Sequence, residues 1–463
     1  MKKALTLTLL LLFCCPICLI AQHAVVADFD EGVELMTVVW RLAGAREYNT
    51  CNIEPYNRSV DEHFAPFRQH QAVTLAQSYY HQHGTGYDAV AIFGALLHID
   101  DKGNVGFDPH KVKNFDHRWT PQMQNDMLVA LSDFYKTSHF RQWYESTASL
   151  QQQVRASFQK TLDKVDTQWF SRFFTAQEAQ FRIILCPLAG NCNYGIDYNT
   201  TEGIHQLSPV ISCAHYADGQ FSYSTDDVLP IVIHEFCHAY CNPLIDKHFD
   251  EIKLTADSVF ALNSELLASQ AYSNSKIMMY ETFVRSSVIC YYLHHYPDRT
   301  ENVQKMIKDE ESNGFLLSRT MVDEFARYQQ QASCIDMASF MPQLIKTINS
   351  FSTKHYLEQK TEADKKLIHY TCNISNGTTQ LPAGLLTFNF TFDRPMQPAI
   401  GFGYTNDKFP EYKSHSWSDD GRTLTVQFNT QPNTQYGILV MGDQFTGTDG
   451  QSAVTSTIRF ATR

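Results

Sequence analysis

Five consecutive residues, His234-Glu235-Phe236-Cys237-His238, carry most of the chemistry legible in this chain. On an α-helix, residues four apart lie on one face, one turn along from each other. Both imidazoles then reach one metal ion, at about 2.0–2.1 Å from a ring nitrogen. Glu235 points to the side of that face, where a carboxylate takes the proton of a zinc-bound water without ligating the metal itself. The H-E-x-x-H spacing therefore supplies two zinc ligands and a general base. The bland alternative is a buried helix that happens to carry two His. Context opposes it, because the preceding stretch VLPIVI is almost wholly apolar. Burying His234, Glu235 and His238 together without a partner is costly, and a metal removes that cost.

Catalytic zinc needs a third protein ligand and an open position for water. Three candidates follow the motif: His248, Glu265 in LNSELLAS and Glu281 in MYETFVRSSVICYYLHH. The metzincin pattern H-E-x-x-H-x-x-G-x-x-H is excluded, since position 241 is Cys and position 244 is Leu. A downstream Glu on a second helix gives the gluzincin arrangement. Glu281 sits among Phe283, Val284, Val288, Ile289 and Tyr292, so its carboxylate demands compensation. Either a metal or Arg285, one turn away, supplies it. Glu265, beside Asn263 and Ser264, lies in a less apolar segment. Tyr240, Tyr280, His294 and His295 are the candidates for steadying an oxyanion, and the sequence does not choose among them.

These residues need elements to hold them. Asp226-Asp227 suit the start of the motif helix and Asn242-Pro243 its end. Upstream, helical periodicity runs over 31–45, over 59–83 (opening on the capping-box pair Ser59 and Glu62, closing at Gly84) and over 120–170. Residues 181–186 (FRIILC) and 208–214 read as strands, and Asp218-Gly219 turns into Gln220–Tyr223 as a small hairpin. One of the two strands is expected to offer its edge to a substrate. Helical patterning resumes at Asp227 and persists to about 367. The last stretch alternates instead: Phe388, Phe390 and Phe392 on one face, then Leu424, Val426 and Phe428, then Tyr436–Met441 and Thr457–Ala461. That is the pattern of an all-β sandwich. The expected fold class is α+β: a mainly helical, zincin-like metallopeptidase body (22–371) with a small antiparallel sheet, then an Ig-like β-sandwich (372–463).

Composition limits the rest. The 463 residues are 43% hydrophobic and 19% charged, which excludes a mostly disordered chain. Net charge is −12, without the clustered cations that a nucleic-acid groove requires. Residues 1–21 have Lys2, Lys3, an apolar run and Ala21 at a cleavage point, the pattern of a secretory signal peptide. The expected location is therefore outside the cytoplasm: secreted, periplasmic or in the cell envelope, with no membrane span after cleavage. Twelve Cys fall to nine once Cys14, Cys15 and Cys18 leave with the leader, too few for a disulfide framework. Cys186 and Cys192 flank a Gly-containing loop and offer one pair.

The stretches VELMTVVWRLAG, YDAVAIFGALLH, HEFCHAYCNPL and ETFVRSSVICYYL resemble a domain-of-unknown-function family of secreted bacterial proteins, of Bacteroidetes type and gluzincin-like in motif. The resemblance spans most of 31–350. In that family a Glu followed by x-x-Val-Arg sits on a later helix, matching Glu281, Val284 and Arg285, so the resemblance favours Glu281 as third ligand. Tyr280, Ser286 and Cys237 depart from the family's usual residues, none of them at a ligand. The C-terminal segment FTFDRPMQP resembles bacterial Ig-like modules. Together these imply a secreted zinc metallopeptidase acting on a peptide or protein, with Zn²⁺ on His234, His238 and Glu281 and Glu235 as base. The rival expectation is a catalytically silent zincin-fold binding or adhesion protein of the cell envelope, its C-terminal module meeting a cell-surface ligand. Zinc-dependent hydrolysis of another bond is the third.

Overall fold

The computed structural model describes residues 25–463 except 51–52, 177–178, 213–214, 332–334 and 406. The expected leader, and Cys51, Cys213 and Cys334, lie outside the described residues.

The chain enters through the strand Val26–Asp28 and the helix Glu31–Leu42. Asp30 caps that helix, its carboxylate accepting the N–H groups of Gly32 and Val33 at 3.0 and 3.1 Å. The single helix expected over 59–83 is two, Glu54–Phe64 and Gln71–His83. Pro66 breaks the run, since it has no N–H to continue the ladder. Ser59 is therefore no cap; it lies mid-helix and accepts the indole N–H of Trp143 at 2.9 Å. Gly84 ends the second helix in the left-handed region, φ 65°.

The strand Gln180–Leu185 organises the body. Val26–Asp28 pairs with it in parallel on one side, and His205–Leu207 and Val210–Ile211 in parallel on the other. Asp197–Asn199 closes that side antiparallel, extended by the bridge from Tyr194 to Val210. The sheet is thus mixed, and the expectation of a small antiparallel sheet is corrected. Parallel neighbours need a crossover, and residues 187–204 supply it, folding one strand back within it. Side chains alternate between two cores: Ile183, Leu185 and Ile211 face one, Ile184, Cys186 and Val210 the other. Burial on both faces is why FRIILC reads as an unbroken apolar run. The expected hairpin is present as His215–Ala217 and Gln220–Ser222, with Asp218 and Gly219 at φ 53° and 78°.

The C-terminal region is two four-stranded sheets around one core. Gly384–Phe392 pairs with Thr423–Thr430, burying Phe388, Phe390 and Phe392 against Val426 and Phe428. No helix among the described residues is long and apolar enough to cross a membrane.

Glu34 is the anomaly of the second core. It is fully buried, accepts the Tyr56 hydroxyl, and burial pushes its pKa from 4.5 to about 7. A carboxyl that stays protonated in the folded chain but ionises in the unfolded one destabilises the fold as pH rises. The contribution is fully retained below about 4.5, is lost as pH climbs toward 7, and amounts to roughly 3 kcal/mol. Glu34→Gln is expected to flatten the fall in thermal stability between pH 4.5 and 7, followed by calorimetry. An unchanged pH profile refutes it.

Candidate metal centre

The motif sits on one helix of 38 residues, Thr225–Leu262. Its start carries Asp226 and Asp227 in the first turn. Its end is not at Asn242-Pro243: the helix runs on for almost twenty residues. Pro243 removes one hydrogen bond, costing about 3 kcal/mol. Beyond it Ile245, Ile252 and Val259 are buried, each worth about 1.5–3 kcal/mol, and together they win. A second helix, Ser275–His295, packs alongside and carries Glu281.

The two helices bring three donors to one point. His234 Nε2 lies 3.2 Å from His238 Nε2. Glu281 Oε2 lies 3.5 Å from the former, and its Oε1 3.6 Å from the latter. Bonds of about 2.0–2.2 Å in a tetrahedron set its ligand atoms about 3.4 Å apart. All three spacings are close to that edge, with a different Glu281 oxygen toward each histidine, so the donor set fits zinc. Among the described residues this is the one group of three or more His, Cys, Asp or Glu so placed.

Their partners suit the same task. His238 Nδ1–H donates to Asn242 Oδ1 at 3.2 Å, which turns the Nε2 lone pair toward the centre. Burial pulls the pKa of His234 down to about 3, so this imidazole is neutral at pH 7. Burial opposes ionisation of Glu281, but His234, His238 and Arg285 outweigh it and hold its carboxyl below the usual range. Arg285 is fully engaged: Nε to Glu281 Oε2 at 3.1 Å, Nη1 to Glu310 Oε2 at 2.8 Å, Nη2 to Tyr272 Oη at 2.8 Å. Glu281 thus faces both the histidines and the arginine, and the two compensations weighed from sequence coexist.

Glu235 is buried, at 8% exposure, and burial lifts its pKa to about 7. The main chain of Gly195 bonds its carboxylate. A Cβ at Gly195 would stand 2.6 Å from the Glu235 carbonyl oxygen and 3.3 Å from Oε2, so only glycine permits this approach. Gly195 lies just ahead of the edge strand Asp197–Asn199, next to the Tyr194 bridge. Tyr194 and Ile196 turn their main-chain groups inward, to Val210 and Ser208. By alternation Gly195 and Asp197 turn theirs away from those partners, Gly195 toward Glu235. A cleft of about 290 Å³ lies there, with Ala89, Ile92, Phe115, Trp119 and Ile196 among its walls. The edge beside the cleft is therefore 195–197, with Asn199 beyond it bonded by Val112; of the segments expected to offer an edge, 181–186 and 208–212 are interior to the sheet.

The other candidates lie elsewhere. Glu265 is held by Arg459 and by Thr457 Oγ1, at 3.1 Å, of the C-terminal sheets. His248 pairs with Glu251 at 2.7 Å. Tyr240 stacks on Phe174, 4.8 Å between centroids, and Tyr280 donates to Asp246. His295 bonds Asp166 and stacks on Tyr291, with His294 beside it. None of these joins the metal group. Cys186 and Cys192 are both thiols, and the expected bond between them is not made: Cys186 is buried beside Thr37. Asn242, Gly195, Glu310 and Tyr272 carry no site pattern in the sequence; only the Asn-Pro dipeptide after the motif is a signal, and it reads as a helix stop.

A family model described as a domain of unknown function (DUF4932) matches residues 25–347. The chain belongs to that family. The match takes in the sheet, the motif helix, Glu281 and the residues around Arg285. No curated protein matches the sequence. Among solved structures, that of the S-layer protein rSbsC(31-844) is 16% identical, with 54% of this chain and 34% of that chain covered and a TM-score of 0.16. The N-terminal part of the bacterial S-layer protein SbsC is 13% identical, with 52% and 64% covered and a TM-score of 0.17. The chain spans about a third of the longer of those two. Scores this low carry no fold argument.

Proposed function

We propose that this DUF4932 protein is a secreted, zinc-dependent peptidase with a zincin-like body and an Ig-like C-terminal module. The observation that carries the reading is the convergence of the His234, His238 and Glu281 donor atoms at one point, with Glu235 beside His234 on the same helix. His234, His238 and Glu281 would hold the ion, and bound zinc supplies a Lewis acid that polarises a carbonyl and acidifies a water.

The chain's own residues do the remainder. Glu235 takes the water's proton and passes it to the leaving amine. Its pKa near 7 keeps both its forms accessible at neutral pH, as that relay needs. Gly195 orients the carboxylate from the side of the edge strand. An extended peptide pairs with the main-chain groups of Asp197 and lays a side chain toward the neighbouring cleft. Asn242, Arg285 and Glu310 keep His238 and Glu281 aimed.

Purified protein is expected to contain close to one zinc per chain and to cleave members of a degenerate quenched-peptide library. A chelator is expected to stop cleavage and added zinc to restore it. Cleavage that survives complete zinc removal, or a zinc-loaded protein inert on the whole library, refutes the peptidase reading.

A further inference from the structure

The cleft beside Gly195 holds charge that the proposed chemistry does not use. It begins at a wall shared with the base: a Cβ on Gly195 would stand 3.3 Å from Glu235 Oε2. From there it reaches to the start of the helix Asp88–Ala95 and to the loop 114–119. A volume of about 290 Å³ suits one long side chain better than a whole small ligand.

An arginine in such a cleft first suggests an anion, but Arg118 is not free for one. Its Nε donates to Asp116 at 2.8 Å, and its Nη1 and Nη2 donate to the two oxygens of Asp88 at 2.9 and 2.6 Å. Nη2 also reaches Asp116. Two carboxylates on one guanidinium leave one negative charge over. Asp197, on the edge strand, adds a second. Its Oδ2 bonds His205 at 2.7 Å, and its other oxygen has no partner among the described residues. With His205 neutral the cleft carries two net negative charges, and with His205 protonated it carries one, so the sign is the same. No other cation lines it among the described residues. All three carboxylates are half-exposed, so an incoming cation replaces water there. Ile92 and Phe115 are partly exposed and form an apolar part of the wall. Lysine and arginine lay an aliphatic stem on such a surface and keep the charged end at polar groups.

Spacing limits which residue can enter. An extended chain advances about 3.3 Å per residue. The cleft starts at the residue that touches Glu235, so the side chain entering it belongs within about two positions of the bond cleaved. We propose that the cleft is a specificity subsite for a basic side chain, and that the substrate is a peptide with Lys or Arg within about two residues of the cleaved bond. Asp197 meets the cation, and Arg118 holds Asp88 and Asp116 in the cleft wall. The proposal rests on the peptidase reading above.

Two measurements keep the subsite and the chemistry apart. Binding is read without turnover on zinc-loaded Glu235→Gln protein, by fluorescence anisotropy of labelled alanine octapeptides that carry one Lys, norleucine or Glu at each position in turn. Cleavage sites are read by mass spectrometry on zinc-loaded wild type with the peptide library. The tightest Lys peptide is expected to bind about tenfold better than its norleucine counterpart, and the Glu peptide worse than either. Lys or Arg is expected within about two residues of most cleaved bonds. Asp197→Asn, added to Glu235→Gln, is expected to cut the Lys-to-norleucine ratio by at least about threefold. Asp197 is half-exposed and its pair with His205 is a surface pair, so the fold survives the change. Equal binding of Lys and norleucine peptides, or a Lys preference untouched by Asp197→Asn, overturns the subsite and leaves any cleavage by the wild type standing. A Lys preference in binding with no library member cleaved overturns the peptidase reading, and with it the part of the cleft in choosing a bond.

Discussion

Glu235→Gln is expected to lower peptide cleavage by about 10²–10⁴-fold while leaving zinc bound. The amide replaces the carboxylate at nearly the same shape and accepts the Gly195 main chain as before, but it cannot take a proton. Glu235 makes no ligand contact; the donor group is His234, His238 and Glu281 alone. The substitution therefore separates holding the ion from using it. Burial also matters. The wild-type carboxyl, lifted to about 7, resists ionisation inside the fold. Removing that charge is expected to leave thermal stability unchanged or higher at pH 8. Metal analysis, library turnover and a melting curve on one preparation check all three. A variant as active as wild type sinks the general-base role. A wild type and variant equally inert, both loaded with zinc, point to the silent binding protein instead.

What the sequence told about this site divides by distance along the chain. His234, Glu235 and His238 lie within one helical turn, so spacing alone places them. Glu281 was legible because a carboxylate in so apolar a helix needs a partner, though residue chemistry could not say whether zinc or Arg285; the structure puts it against both. Gly195 and Tyr272 were illegible for a different reason. Each is an ordinary loop or edge residue whose role comes from the fold: a crossover that returns Gly195 beneath Glu235, and an arginine fork that reaches Tyr272.

The fold shows the same division. Local signals located the strand at Gln180–Leu185, the hairpin turn at Asp218-Gly219 and the alternating strands after residue 384. Strand direction is not local. The parallel pairing of Gln180–Leu185 with Val26–Asp28 joins segments more than 150 residues apart, which no window of sequence reveals. Punctuation misled where burial overrode it. Pro243 reads as a stop, yet the apolar face beyond it outweighs one lost hydrogen bond. Pro66, with the polar stretch Arg68 to His70 behind it, does break its helix.

Glu281→Gln is expected to weaken zinc binding by more than about 100-fold, and Glu265→Gln to leave it unchanged. The two carboxylates were the rival third ligands, and their surroundings now differ in kind. Glu281 is 8% exposed and faces His234, His238 and Arg285. Its loss removes a ligand and leaves the half-buried Arg285 with Glu310 as its one remaining carboxylate among the described residues. Glu265 is part of a partly exposed pair with Arg459, which keeps Asp407 at 2.9 Å when Glu265 is neutralised. Such a pair contributes about 0–1 kcal/mol. Thermal melts with and without zinc read the difference directly. A ligand present at about 100 times its Kd stabilises the folded chain by roughly 2.7 kcal/mol. That zinc-dependent rise in Tm is expected in Glu265→Gln as in wild type, and to vanish in Glu281→Gln. The reverse result would move the third ligand to the contact between the helical body and the C-terminal sheets, and would remove the argument from converging donors with it.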